Sequence, residues 1–134
     1  MKNRYFSEIF KFLRVAEKLK TELRHSCTSN TNRQESVAEH MWMMALSAIL
    51  LMDKLGVDID KLKVLKMVIV HDLVEAVSGD IPSHELSKRK DNQHASEKLA
   101  MKKLLSMLKG KTGKELFLLW DEFEEMRTLE AKFV

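Results

Sequence analysis

The scarcity of helix-breaking residues is the feature that most constrains how this chain folds. Its 134 residues include only four glycines and one proline. Both types interrupt helices, glycine through its conformational freedom and proline through its missing amide hydrogen. Leu, Lys, Glu, Met and Ala are abundant instead, and these residues favour helices over strands. The sequence therefore predicts an all-α fold.

Length and composition predict one globular domain over residues 1–134. A chain of this size supports a single hydrophobic core but is short for two. Hydrophobic residues make up 45% of the chain and charged residues 32%. This balance gives the chain enough apolar surface to fold, so we expect an ordered domain rather than a disordered segment.

The same composition limits the compartment and the partners. The single Cys27 excludes an intramolecular disulfide and is typical of a reducing compartment. The N-terminus lacks the apolar stretch of a signal peptide, and the run from Met41 to Met52 is shorter than the ~20 residues of a membrane span. Acidic residues are mixed among the basic ones, with a net charge of only +3. We expect a cytoplasmic protein that binds neither membranes nor nucleic acid.

Apolar residues at helical spacing predict about five to six helices. The predicted segments are a first helix over Tyr5 to Leu23, a loop over Ser26 to Gln34, a helix from Ser36 to Leu55, a third ending near Ser78 and Gly79, a fourth over Ala95 to Lys109, a fifth opening at Thr112 and a last segment from Leu129 to Val134. Capping boxes, in which Glu follows Ser or Thr by three residues, mark the second and fifth starts. In the third helix, apolar positions that include Leu62, Val68 and Ile69 indicate a buried, central element.

Polar side chains within this third helix predict a functional site. His71 and Asp72 are costly to bury unless partners or a metal ion satisfy them. Glu75 lies one helical turn further on the same side, and His40 starts a neighbouring helix from which it can reach the bundle interior. A buried structural pair at His71 and Asp72, or a His40 bonded only to backbone, are the alternatives on these residues alone.

Four motifs in a fixed order give a more specific indication. Glu35-Ser-Val-Ala-Glu-His40, His71-Asp72-Leu-Val-Glu75, Gly79-Asp80-Ile-Pro82 and Glu130-Ala-Lys-Phe-Val134 together resemble the HD-domain superfamily, and closely its 5′-deoxynucleotidase branch. The resemblance implies an all-helical bundle in which His40, His71, Asp72 and a later Asp bind a divalent metal ion. That last Asp would follow Val134 by a few residues, so we expect a domain truncated at its C-terminus.

The resemblance also implies roles for three further residues. Glu75 would position or deprotonate the attacking water or protonate the leaving group, and Asp80 would act in catalysis and bind the sugar. Arg24 would bind the phosphate through its planar guanidinium. The ion would be Mn²⁺, Co²⁺, Mg²⁺, Fe²⁺ or Zn²⁺, which mixed His and carboxylate ligands accept. The alternatives are a surface charge for Glu75, a turn residue for Asp80 and a helix C-cap for Arg24.

The function implied by the resemblance is hydrolysis of (deoxy)nucleoside 5′-monophosphates to nucleoside and phosphate by a homodimer. Related proteins often carry a Trp after the arginine, whereas this chain has His25-Ser-Cys-Thr28, so the preferred base is left open. The alternatives are another HD phosphodiesterase, a nucleotide-pyrophosphate hydrolase, or a non-catalytic HD-fold interaction domain. We expect His84 and His94 to lie on a solvated surface, and Trp42 in the core or at a subunit contact.

Overall fold

Helices dominate the computed structural model, which describes the backbone of residues 2–79 and 90–134 and the side chains of residues 5–79 and 93–134. The helices are α1 (Lys2–Ala16), α2 (Val37–Met52), α3 (Lys61–Val70), α4 (Glu75–Ser78), α5 (Lys90–Leu105), α6 (Lys111–Glu124) and α7 (Leu129–Phe133). A 3-10 turn (Glu17–Lys20) follows α1, and the strands β1 (Leu23–Cys27) and β2 (Gln34–Ser36) precede α2. The predicted all-α class is confirmed, with one small hairpin added. Asp80 and His84 lie outside the described residues.

A 3-10 turn and a β-hairpin replace the predicted end of the first helix and the loop after it. α1 ends at Ala16 rather than at Leu23, and residues 23–27 pair with residues 34–36 in an antiparallel sheet. The connecting turn places Asn32 at φ 53, a conformation that Asn adopts more readily than most residues. The segment shows no alternation of apolar and polar residues because most of β1 is exposed. Its strands therefore escape prediction by pattern.

Caps fix the starts of α2 and α3. Ser36 Oγ accepts a hydrogen bond from the Glu39 amide at 3.2 Å, and the Glu39 carboxylate accepts one from the Ser36 amide at 2.7 Å. The predicted capping box is thus confirmed. Asp60 caps α3 by accepting from the Lys63 amide at 3.0 Å. Because caps satisfy amides that a helix leaves without partners, they define where α2 begins and where it places His40.

The third helix is broken where the sequence predicts continuity. Residues 71–74 form a turn, after which α4 begins at Glu75. The His71 amide bonds four residues back, to the Met67 carbonyl at 2.9 Å, whereas the Glu75 amide bonds three residues back, to the Asp72 carbonyl at 3.0 Å. The chain is therefore wound more tightly after His71, as in a 3-10 helix. The spacing of apolar residues does not reveal this change, because the backbone dihedral angles stay near helical values.

α6 begins before the predicted fifth-helix capping box, so that prediction is wrong. The helix starts at Lys111, and Thr112 lies within its first turn. Gly110 occupies the cap position at φ 88 and has no side chain with which to cap. Gly113 approaches the end of α5 so closely that a Cβ there would lie 2.6 Å from the Leu105 carbonyl oxygen. The contact between α5 and α6 therefore sets where this helix lies.

The core is built around α3, which packs against α2, α6 and α7. The largest fully buried side chains are those of Trp120, Met67, Met101, Val37, Val64 and Val68. Three of these belong to α3, and His71 continues their stripe at helical spacing. The central position of α3 is confirmed. The prediction that Leu62 and Ile69 also face the core is wrong, because both are exposed.

Apolar surface remains uncovered along α2. Trp42 is 62% exposed, and Leu46, Ile49 and Leu50 are exposed with it. These four residues recur at helical spacing and form one face of the helix, called the α2 face below. Trp42 therefore does not belong to the core of the single chain. Across residues 2–79 and 90–134, none of the helices has the length and apolarity needed to cross a bilayer.

Candidate metal centre

His71 follows α3 directly, and its imidazole is buried. Only 6% of the side chain is exposed, and the ring packs edge-on against Phe123 with 5.3 Å between centroids. Nδ1 lies 2.7 Å from the Val68 carbonyl oxygen. Because a carbonyl can only accept a hydrogen bond, Nδ1 carries a hydrogen and Nε2 is left to face Asp72. The Asp72 Oδ2 atom lies 3.1 Å from that nitrogen.

Asp72 joins the two histidines. Its Oδ2 lies 3.7 Å from Nε2 of His40 as well as 3.1 Å from Nε2 of His71. The two imidazole rings are 5.8 Å apart and tilted by 59°. His40 comes from the capped first turn of α2, and its side chain is 23% exposed. The packing of α2 on α3 therefore brings together the three residues that the sequence predicts as ligands.

These three side chains have the spacing and chemistry of a metal site. One ligand atom from each of His40, His71 and Asp72 lies within 4.8 Å of the others. Ligands that bind one ion at about 2.0–2.2 Å lie up to about 4.4 Å from each other, which is close to this spacing. Two imidazole nitrogens with a carboxylate oxygen suit divalent ions of the first transition series and zinc. The donor set therefore fits a divalent metal ion.

The hairpin adds a cation and a second carboxylate to this group. Arg24 Nη1 donates to Asp72 Oδ2 at 3.1 Å, and Arg24 Nε lies 3.5 Å from Glu35 Oε1. The same Glu35 oxygen accepts a hydrogen bond from Ser26 Oγ at 2.8 Å and lies 3.7 Å from Nδ1 of His40. Arg24, predicted to bind phosphate, is therefore beside the candidate metal ligands. Glu35 was not among the predicted site residues.

The electrostatics of the group set the protonation of its members. Burial acts to raise the pKa of Asp72, but the neighbouring His71, Arg24 and His40 outweigh burial and lower the pKa. Burial and the Arg24 charge lower the pKa of His40, against the opposing effect of the Asp72 carboxylate. Asp72 is thus ionised and His40 neutral near pH 7, the forms that bind metals.

Glu75 begins α4 one tight turn after Asp72, and its side chain is half-buried. Because residues three apart are in line in a 3-10 turn, the two side chains leave the backbone on the same side. α4 ends at Ser78, and Gly79 follows as its C-cap with a φ of 76, which suits a glycine. Asp80 follows outside the described residues, so its role in the site stays a prediction.

His94 is 41% exposed, as a surface residue can be, but it also packs against α6. Its Nδ1 lies 3.5 Å from Glu124 Oε2, and its ring stacks on the buried Trp120 with 6.2 Å between centroids. Burial raises the pKa of Glu124, and the carboxylates of Glu97 and, more weakly, Asp72 add to this effect. α5 and α6 therefore place a further carboxylate within electrostatic range of the metal ligands. The sequence contains no motif that signals this pair.

Comparison with known proteins identifies the class to which this arrangement belongs. The fold is helical, its His40, His71 and Asp72 side chains could hold a metal ion, and a family model described as the HD domain matches residues 16–134. This match covers most of the 134 residues. The chain belongs to the HD domain family.

Curated and solved relatives agree with this membership. The chain is 37% identical to the 5′-deoxynucleotidase HDDC2 of Dictyostelium discoideum, over 96% of this chain and 70% of that protein. It is 35% identical to the human 5′-deoxynucleotidase HDDC2, over 94% of this chain and 60% of that protein. The crystal structure of a predicted metal-dependent phosphohydrolase from Magnetospirillum magnetotacticum superposes with a TM-score of 0.83 at 30% identity, over 96% of this chain and 65% of that one. The chain thus spans about 60–70% of the length of these relatives.

Proposed function

We propose that the protein is a metal-dependent phosphohydrolase that converts (deoxy)nucleoside 5′-monophosphates into nucleoside and phosphate. The observation that carries this proposal is the His/His/Asp group, with His71 buried and an arginine 3.1 Å from its carboxylate. A cation site next to a guanidinium suits a phosphate group, which needs both charge compensation and orientation. The 5′-deoxynucleotidases among its relatives support this class of substrate.

The ion would be held by His40, His71 and Asp72. When bound, a divalent metal lowers the pKa of a water molecule and polarises a phosphoryl oxygen. Two nitrogen donors favour Mn²⁺, Co²⁺, Fe²⁺ or Zn²⁺ over Mg²⁺, which prefers oxygen ligands. The nearly complete burial of His71 keeps bulk water from one side of the site.

The remaining residues act on the substrate. Arg24 binds the phosphate oxygens, and the planar guanidinium matches two of them at once. Glu75 orients the attacking water and accepts its proton as the new bond to phosphorus forms. The bond between phosphorus and the 5′ oxygen then breaks, and that oxygen takes up a proton to give the nucleoside. Asp80 contacts the sugar and completes the predicted set.

A substrate panel tests the proposal. Phosphate release is measured from deoxyribo- and ribonucleoside monophosphates with added Mn²⁺, Co²⁺ or Mg²⁺, beside a phosphodiester and a nucleoside triphosphate. His71→Ala should abolish release, whereas His94→Ala, which removes a histidine outside the ligand group, should retain most of it. Cleavage of only the diester or the triphosphate would overturn the substrate class. An inactive protein that binds no metal would overturn the enzyme assignment.

We also propose that residues 1–134 belong to one HD domain and that the protein is a cytoplasmic homodimer. The exposed α2 face supports the dimer, because monomeric proteins seldom leave so many large apolar side chains uncovered on one helix. The free, exposed Cys27 supports a reducing compartment, where a thiol persists without oxidation.

A further inference from the structure

Glu35 lies between the two halves of the site. The residue immediately precedes the cap of α2, and its side chain is largely buried. Its Oε1 atom accepts from Ser26 Oγ at 2.8 Å and lies 3.5 Å from Nε of Arg24 and 3.7 Å from Nδ1 of His40. One carboxylate oxygen therefore contacts a hydroxyl on β1, the guanidinium and one metal ligand.

We propose that Glu35 is a positioning residue that orients His40 toward the metal and holds Arg24 beside it. The part that concerns Arg24 rests on the proposed function, whereas the part that concerns His40 needs only a metal site. A carboxylate next to Nδ1 favours the imidazole tautomer with its hydrogen on Nδ1. Nε2 is then left for the ion, on the side where Asp72 Oδ2 lies 3.7 Å away.

The arrangement at His71 supports this interpretation, because there too an oxygen lies on the Nδ1 side of the ring, closer than the 3.7 Å at His40. There the Val68 carbonyl oxygen lies 2.7 Å from Nδ1, and Nε2 faces Asp72 at 3.1 Å. Both histidines thus have an oxygen at Nδ1 and Asp72 at Nε2. For His71 this oxygen belongs to the backbone and comes with the helix, whereas for His40 it belongs to a side chain that mutation can remove.

The contact with Arg24 has a separate consequence. Arg24 uses Nη1 for Asp72 and has Nε beside Glu35. The Nε contact with Glu35 is an ion pair and not a hydrogen bond, and it helps to fix the position of the guanidinium while Nη1 stays bonded to Asp72. Such fixing reduces the entropy lost when a phosphate binds. Removing Glu35 should therefore weaken the binding of phosphate even when the metal is saturating.

Binding of Mn²⁺ alone, followed by electron paramagnetic resonance, tests the first part. Glu35→Gln keeps the shape of the side chain and removes its charge. We expect it to weaken Mn²⁺ binding by about tenfold, the lower end of the effect of losing an outer partner of a metal-bound histidine. Glu39→Gln is the matched control, because Glu39 also lies at the start of α2 but contacts Arg33 and the Ser36 cap.

Inhibition by inorganic phosphate at saturating Mn²⁺ tests the second part. We expect the inhibition constant of Glu35→Gln to rise several-fold.

Mn²⁺ affinity equal to wild type in Glu35→Gln would overturn the role at His40. Equal losses in Glu35→Gln and Glu39→Gln would also overturn it, because the effect would then come from the start of the helix. A wild-type protein that binds no Mn²⁺ would overturn both the proposed function and this role. If the wild-type protein binds Mn²⁺ and Glu35→Gln binds it equally well, only the role of Glu35 fails.

Discussion

At the scale of single residues, the ligand group depends on details that residue identity does not contain. The sequence predicts His40, His71 and Asp72 together because their motifs resemble those of a known family. It does not show that the Val68 carbonyl occupies one nitrogen of His71, nor that Glu35 lies beside one nitrogen of His40. These contacts require the turn after α3 and the hairpin, and neither has a pattern in the sequence.

Glu75 gives the sharpest prediction at this scale. Glu75→Gln removes the proton acceptor but none of the three grouped ligands. We expect kcat to fall by about 10²–10³-fold, because general base catalysis contributes about that much, while Mn²⁺ affinity stays within twofold of wild type. Steady-state kinetics and Mn²⁺ titration measure the two quantities. The matched control is Glu115→Gln, which changes an exposed glutamate of α6. A Glu75→Gln variant that retained full kcat would contradict the assignment of Glu75 as the base.

At the scale of elements, helix starts that a side chain caps follow from local sequence, whereas breaks and starts that depend on packing do not. Ser36 and Asp60 are local signals, and both cap helices as side chains of their type do elsewhere. The break after α3 and the start of α6 depend on contacts between elements, which no local signal records. At Thr112, the capping pattern is present but the approach of Gly113 to the end of α5 places the helix start earlier.

Gly113 allows a direct test of that approach. In an exposed helix, replacing Gly by Ala usually stabilises a protein by about 0.5–1 kcal/mol. Here the new Cβ would lie 2.6 Å from the Leu105 carbonyl and 2.9 Å from that of Leu108, both backbone atoms. We therefore expect Gly113→Ala to destabilise the fold by about 1–3 kcal/mol, as overpacking does. Urea denaturation measures this, and a stabilised variant would show that α5 and α6 are not so close.

The capped start of α2 should make stability depend on pH. Hydrogen bonds from Arg33 and from Ser36 lower the pKa of Glu39 to about 2 in the folded protein, from 4.5. A lowered folded pKa means that the ionised group stabilises the fold above about pH 4.5 and that this contribution disappears as pH falls toward about 2.

The corresponding variant is Glu39→Gln, which cannot ionise. Its free energy of unfolding should be lower than that of wild type at pH 7, and the difference should shrink between pH 4.5 and pH 2. Urea denaturation at several pH values measures it, with Glu115→Gln as the control on an exposed glutamate that caps no helix. A difference that stayed constant with pH would mean that Glu39 acts through packing and not through its charge.

At the scale of the whole molecule, the apolar residues divide into two sets. One set surrounds α3 and is completed within the chain, where Met67, Val64 and Val68 are fully buried. The other set lies along α2, where Trp42, Leu46, Ile49 and Leu50 are exposed. The sequence predicts both as apolar helix positions. It cannot divide them, because a helix surface that packs against a second copy has the same composition as one that packs inside the chain.

The second set leads to a prediction about assembly. A stable homodimer buries about 1,200–2,000 Å², and an aromatic residue at the centre of such an interface often contributes most to its affinity. Trp42→Glu places a charge at the start of the α2 face, so we expect it to convert a dimer into monomers in sedimentation velocity. Leu99→Glu changes an equally exposed leucine on α5 and should leave the dimer intact. If Leu99→Glu dissociated the dimer and Trp42→Glu did not, the subunits would meet through α5 and the α2 face would need another explanation.

Because His40 lies on the same helix as Trp42, Mn²⁺ affinity measured on the Trp42→Glu monomer would also show whether assembly affects the metal site.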